Sequence, residues 1–327
     1  MMVCGKCETN CPAYKAWCEG CPGCNVLLMR DGEKCGGTKG CRACSYLCPD
    51  RLDALREYAA LFAPSTTTER MNAGGVQATM PSYIPLVTAP LHSSPPDGLR
   101  WFAIHGGKTS RAVWDGEIEP RVQFRLPPDA KTVLHLFIKD DPLMRFWAER
   151  KERIVAIRNF DAVFAPNFSV YEDAPRFEHI LAIRRSQTFV KEMVAEGIPV
   201  IPDVSWYRRE DLDVQLEFLD SIGAETVAFS FQVVGRIKGC GAWVSYLAGL
   251  RYFANRFPGR IYLVGMAAKT RYREAVRAAG RPVGVVDTRS FVKSRRRTKD
   301  GTDEEFFREA DRVRKGLENV ANQNHQK

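Results

Sequence analysis

Between residues 161 and 291 five short apolar runs recur: Asp161–Phe168 (DAVFAPNF), Ile198–Trp206 (IPVIPDVSW), Glu225–Gln232 (ETVAFSFQ), Arg260–Met266 (RIYLVGM) and Pro282–Phe291 (PVGVVDTRSF). Each holds β-branched or aromatic residues and ends in polar ones, as a strand passing into a loop does. The intervening stretches Arg209–Ile222, Gly241–Phe257 and Lys269–Ala279 carry apolar residues at helical spacing. Strands alternating with helices at this interval make βαβ units, and therefore a parallel sheet with right-handed crossovers. A doubly wound sheet and a closed barrel both satisfy the pattern. No Gly-x-Gly-x-x-Gly turn follows the first strand, which favours the barrel. The expected fold is α/β, a (β/α)8-like TIM barrel, complete or lacking a unit.

Upstream, Leu99–His105 (LRWFAIH) and Val133–Ile138 read as further strands, and Pro142–Arg158 as the helix after the second. Val122–Leu126 alternates over five residues and predicts an edge or hairpin strand. Pro64–Gly98, rich in Pro, Ser, Thr and Gly, predicts a linker or strap with room for one early strand. Asp50 is placed to cap a short helix, Arg51–Phe62. Downstream, Asp303–Ala321 is an amphipathic helix that closes the body. Four segments result: a cysteine-rich head (1–50), a helix and linker (51–98), the barrel (99–291), and a basic loop, C-terminal helix and tail (292–327).

In a barrel the chemistry sits where strands end, on one face. The residues this reading places there are Asn167, Asp203, Trp206, Ser230, Gln232, Gly265, Asp287 and Arg289. Singly, each is as well explained as a turn former or helix cap; their recurrence on successive strands marks a site. His105, before Gly106 and Gly107, reads either as a substrate-facing group or as a turn histidine. Asp140 and Asp141 read as an acid–base or metal pair, or as the start of the next helix. The loop Gly235–Gly241 (GRIKGCG) sets Arg236 and Lys238 between glycines ahead of a helix, where Gly235 and Lys238 are placed to hold an anion. It is not a Walker sequence, so triphosphate hydrolysis has no support.

With 327 residues the chain has room for a barrel and a small appendage. Apolar residues make up 45% and charged residues 27%, as in soluble globular proteins. No apolar run reaches membrane-span length and Met1–Lys6 lacks a signal-peptide pattern, so the expected address is the cytoplasm, with no membrane partner. The formal net charge is +9, concentrated in part at Arg289, Lys293, Arg295, Arg296, Arg297 and Lys299. A basic cluster beside the active face predicts a nucleic-acid partner, DNA or RNA, held through phosphates.

Ten of the 11 cysteines fall within the first 48 residues: Cys4, Cys7, Cys11, Cys18, Cys21, Cys24, Cys35, Cys41, Cys44 and Cys48. Pairs two residues apart let two thiolates reach one metal ion, and a stretch this poor in apolar residues draws its folding free energy from that metal. No histidine precedes His92, so the ligand set is all thiolate. Two Cys4 zinc sites would use eight of the ten. The Cys18–Cys21–Cys24 triple, and the prolines after Cys11 and Cys48, equally suit an iron–sulfur cluster. The cofactor is thus iron–sulfur or Zn2+. The remaining cysteine, Cys240, reads as an ordinary small residue.

The segment FAPNFSVYEDAP, the helix after it and GIPVIPDVSW resemble a domain family of unknown function found in phages and other mobile elements, over Phe160–Gly280. From Ile198 onward the order of strands resembles the second half of a tRNA-guanine transglycosylase barrel. In that family one strand ends in a base-reading segment, the next in a glycine-rich base-binding end, and the last presents an aspartate. IPVIPDVSW, TVAFSFQVVG and Asp287 of VVDTRS stand in those places. The resemblance implies a base-exchanging enzyme, with Asp287 as nucleophile and a second carboxylate, Asp203, moving protons. Ser230, Gln232 and Gly235 would read the base, and the arginines Arg289, Arg295 and Arg296 would hold phosphates. The family's base-recognising aspartate falls at Asn167, and its Asp-Thr-Gly-Gly segment is absent. The rival functions are a non-catalytic nucleic-acid-binding or host-interaction protein, and an iron–sulfur-dependent enzyme acting on a small molecule or modified base.

Overall fold

The computed structural model describes residues 79–96, 98–107, 116–170, 176–232, 234, 241–297 and 303–325. The cysteine-rich head, the helix expected at Arg51–Phe62, and Gly235, Lys238 and Cys240 lie outside them.

Eight parallel strands follow one another around a ring: β1 (Tyr83–Val87), β2 (Trp101–His105), β3 (Lys131–His135), β4 (Ala162–Phe164), β5 (Val200–Ile201), β6 (Thr226–Ser230), β7 (Arg260–Val264) and β8 (Gly284–Asp287). β1 pairs with both β2 and β8, and β7 with both β6 and β8. The last seam, between β5 and β6, is closed past the end of β5. There Ala228 N–H donates to Pro202 O at 2.8 Å and Val204 N–H to Ala228 O at 2.9 Å, with Asp203 bridging to Ala228. This is a nearly closed TIM-like barrel, as the strand-and-helix alternation predicts.

Among the described residues the helices are α1 (Pro120–Phe124), α2 (Asp140–Ala148), α3 (Arg150–Ala156), α4 (Arg176–Ala195), α5 (Arg209–Ser221), α6 (Gly241–Ala254), α7 (Lys269–Ala279), α8 (Ser290–Arg297) and α9 (Glu304–His325). They bury one stripe each against the outside of the ring, where Phe102, Leu134, Val163, Phe229, Leu263 and Val285 meet Phe189, Leu212, Phe253 and Val276.

Three expectations are corrected here. Val122–Leu126 is not a strand: residues 120–124 form α1, with Pro120 in the first turn and the Glu119 carboxylate accepting from Val122 N–H. The early strand for which Pro64–Gly98 left room is β1, so the barrel begins there and not at Leu99. Pro85 sits within that central strand, opposite Asp287. The basic loop after Phe291 is largely helix α8.

The register decides which side chains turn inward. Carried around the ring from Ile84 through Val286, Val264 and Ser230, it returns to the first strand's line eight residues farther on. That stagger is the one a tilted eight-stranded barrel requires, and it sorts inward side chains into layers of four from alternate strands. One layer holds Ile84, Val133, Ile201 and Tyr262; the next, Ala103, Phe164, Ala228 and Val286. All eight belong to the inner core. The layer nearer the C-terminal mouth holds Leu86, His135, Asp203 and Val264. Two of its four members are polar.

The opposite end is shut. Tyr262 is fully buried and its hydroxyl donates to Pro81 O at 2.7 Å, while Arg260 reaches Met80 O. A Cβ on Gly284 would lie 2.5 Å from the Tyr262 ring. Gly284→Ala therefore displaces that ring from a packed interior, and we expect a loss of about 2 kcal/mol in chemical denaturation.

Candidate active site at the barrel mouth

Strand parity separates the ring of polar residues expected at the mouth into two sets. Ile201 lies in the inner core and Val200 and Val204 in the outer one, so Asp203 turns inward and Trp206 outward. The Asp203 carboxylate is buried. Its Oδ2 accepts from Asn167 Nδ2 at 2.8 Å and from the Ser205 hydroxyl, and Asn167 Nδ2 lies 3.3 Å from Ser205 Oγ. Its Oδ1 is buried with no hydrogen-bond partner among the described residues. Burial pushes the Asp203 carboxyl up to about 7, against the lowering effect of Ser205 and Asn167. A carboxyl poised near neutrality can both give and take a proton.

Two histidines turn inward beside it. His105 and His135 are register partners on β2 and β3, with ring centroids 6.3 Å apart. His135 is fully buried, stacked on Phe137 at 5.0 Å and edge-on to Phe164 at 5.9 Å. Neither of its ring nitrogens has a hydrogen-bond partner among the described residues. Burial, and then His105, lower its pKa to about 3, so the ring stays neutral at physiological pH. Burial lowers His105 as well. Gly107 N–H donates to His105 Nδ1 at 3.0 Å, which makes Nδ1 the acceptor and gives the neutral ring its proton on Nε2. A Cβ on Gly107 would lie 2.7 Å from that nitrogen, so the glycine permits the contact.

Ser230 ends β6 on the inward side, half-buried, and receives the Gln232 N–H at 3.4 Å. Gly265 ends β7 with φ +81, and a Cβ there would meet Gln232 at 3.0 Å. Its role is to let two strand ends approach.

The other expected residues are elsewhere. Asp287 follows the inward Val286 and so turns outward, fully buried between strand and helix layers. Tyr83 Oη donates to its Oδ2 at 2.8 Å; Arg289 N–H and Ser290 N–H donate to Oδ1 at 2.9 and 3.2 Å, and the Ser290 hydroxyl to Oδ2. Asp287 thus caps α8 and anchors β1, which corrects its placement at the mouth. Trp206 packs outward on Tyr246 at 5.1 Å and against Gly249. Arg295 is committed to Asp303 at 2.8 Å and to Pro90 O, and Lys293 to Glu309 at 2.8 Å. Of the basic cluster, Arg289 and Arg296 are exposed. Asp140 opens α2 and accepts from the Ser169 hydroxyl at 2.9 Å, as a helix-terminal aspartate does. His135 had no sequence signal beyond being a histidine within an apolar strand, VLHLF.

Residues 121–275 match the family described as Domain of unknown function (DUF4417). The DUF4417 match spans β3 to β7, and so takes in His135, Asn167, Asp203, Ser205 and Ser230 but not His105 or Asp287. No curated protein matches the chain. Among solved structures, the YdjI aldolase from Escherichia coli K12 aligns at 10% identity and TM-score 0.37, over 74% of this chain and 88% of that one. The carboxyl transferase domain (Y628A) of Rhizobium etli pyruvate carboxylase, with pyruvate, aligns at 14% identity and TM-score 0.36, over 69% of this chain and 42% of that one. Among the described residues no helix is long and apolar enough to cross a membrane.

Proposed function

We propose that this chain is an enzyme whose barrel mouth moves a proton on a small polar substrate, with Asp203 as general acid–base. The observation that carries the reading is the inward, buried Asp203 carboxyl, tuned to about 7, with one oxygen held by Asn167 and Ser205 and the other without a partner among the described residues. Unpaired, strongly perturbed carboxyls at a barrel's C-terminal mouth are where acid–base catalysis is built. The test is proton exchange at carbon. A panel of small hydroxy-carbonyl compounds is incubated in heavy water with the full chain and with Asp203→Asn, and deuterium uptake is read by mass spectrometry. Uptake should rise with pH through about 7 as Asp203 ionises, and fall at least about a hundredfold in the variant. Equal uptake by both proteins ends the proposal.

Base exchange on nucleic acid is the second reading, favoured by the net charge of +9 and by exposed Arg289 and Arg296. Its expected nucleophile, Asp287, is surrounded by four donors and turned from the mouth, which supports proton transfer over it. Labelled guanine incorporated into DNA or tRNA by the native chain, but not by Asp287→Asn, would reverse that preference.

For the head we retain a metal bound by Cys4 to Cys48. Metal analysis of the full chain should find zinc in a colourless protein, or iron and sulfide in a brown one. Chelation should unfold the head and leave the barrel's cooperative transition in place. A metal-free protein with unchanged protease resistance of residues 1–50 would refute it.

A further inference from the structure

The interior layer that carries Asp203 also carries His135, and between them they leave three polar atoms without partners among the described residues: Asp203 Oδ1 and both ring nitrogens of His135. Their strands are separated only by β4, so the two side chains are neighbours within that four-residue layer. The remaining two members, Leu86 and Val264, are apolar and offer them nothing. A buried donor or acceptor left unmatched costs more than the hydrogen bond it could make, so native interiors rarely keep one, let alone three together. An imidazole always carries at least one N–H, and when neutral also one lone pair. A single group meets one of these nitrogens, and to fit either tautomer it must be able both to accept and to donate, and carry no formal charge. A hydroxyl or hydrated carbonyl does this; a phosphate or carboxylate does not suit a neutral ring bordered by Phe137 and Phe164. His105, held by Gly107, is the register partner of His135 on the adjacent strand, its ring centroid 6.3 Å away.

We propose that His135 is a substrate-binding residue, which together with Asp203 Oδ1 seats a neutral hydroxyl, free or of a hydrated carbonyl, at the deepest point of the mouth. The substrate class is a small uncharged hydroxy-carbonyl compound. This rests on the acid–base reading of Asp203 for its catalytic consequence, but the binding site is testable apart from it.

The probe is dihydroxyacetone, added to the full chain carrying nitrogen-15 in its histidine rings. The ring nitrogens of His135 should shift on addition, and acetate and inorganic phosphate should leave them in place. His135→Phe should weaken probe binding about tenfold or more, the loss of a hydrogen bond, while thermal stability holds or rises as unmatched polar atoms leave the core. His135→Gln, which keeps a donor and an acceptor, should restore part of the affinity; a purely structural role would show no such split. Unmoved His135 signals up to the probe's solubility limit would mean a trapped water serves these atoms, and would overturn the proposal. So would an equal response to acetate. A His135 shift that persists while Asp203→Asn still exchanges deuterium would sink the acid–base reading and leave this site standing. Lost exchange with no His135 shift would do the reverse.

Discussion

Asp203→Asn should yield a protein that is more stable than the native chain at alkaline pH and, under the proposed function, loses most of its proton exchange. The folded barrel holds the Asp203 proton up to about 7, whereas the unfolded chain releases it near 3.8. The native state therefore binds more protons between those values, and stability falls as pH rises through that window. The stabilising contribution is complete below about pH 4 and gone above about pH 7. Its size is on the order of 4 kcal/mol, from 1.36 kcal/mol per tenfold change in proton affinity. Asparagine does not titrate, and its oxygen can still accept from Asn167 and Ser205. Denaturant unfolding at a series of pH values should show the native chain losing stability across the window and the variant staying level. Catalysis should fall by roughly a hundredfold to ten-thousandfold, as loss of a general acid–base does. A native chain with flat stability from pH 4 to pH 8 would show that Asp203 is not held protonated by its burial.

Asp287→Ala should do the opposite: damage the fold and spare the chemistry. The carboxyl accepts from Tyr83, from Arg289 and Ser290 N–H, and from the Ser290 hydroxyl. Removing it strands the phenol in the core and uncaps α8, which also carries the Phe291 contact with Phe306 of α9 at 5.1 Å. The expected cost is on the order of 3 kcal/mol, or roughly 10 °C in melting temperature. Tyr83 shows the other side of this bond: burial, and then the neighbouring Asp287, push its phenol far above the usual range. Tyr83→Phe should recover part of the loss in the double variant, because the stranded hydroxyl goes with it. Deuterium exchange per folded molecule should be unchanged in Asp287→Asn. Abolished turnover with an unchanged melting temperature would restore Asp287 as a nucleophile.

These two aspartates show what a sequence can and cannot convey about such a site. Both stand at the ends of apolar runs, and composition ranks them alike. Which one faces the mouth turns on a single residue of strand parity, which is fixed by the neighbouring strands rather than by local propensity. The runs themselves were legible because β-branched residues cluster where both faces of a strand are buried. β1 was obscured by Pro85 and its Pro-rich surroundings, although its ladder tolerates the missing N–H. VQFRL (Val122–Leu126) reads as an alternating strand, yet Pro120 and the Glu119 cap make its first part the helix α1. His135 was hidden because nothing in VLHLF marks an inward polar position; only the eight-residue stagger sets it in one layer with Asp203. The basic cluster is legible as charge, but its pairing with Asp303 and Glu309 depends on how the chain turns back at the start of α9.

The plug of Tyr262, hydrogen-bonded to Pro81, turns the barrel into a cup with one rim. Whatever enters must leave by the way it came, so a lingering product blocks the next arrival. Inhibition by product should then be competitive with substrate, and viscosity at the rim should slow both traffic directions alike.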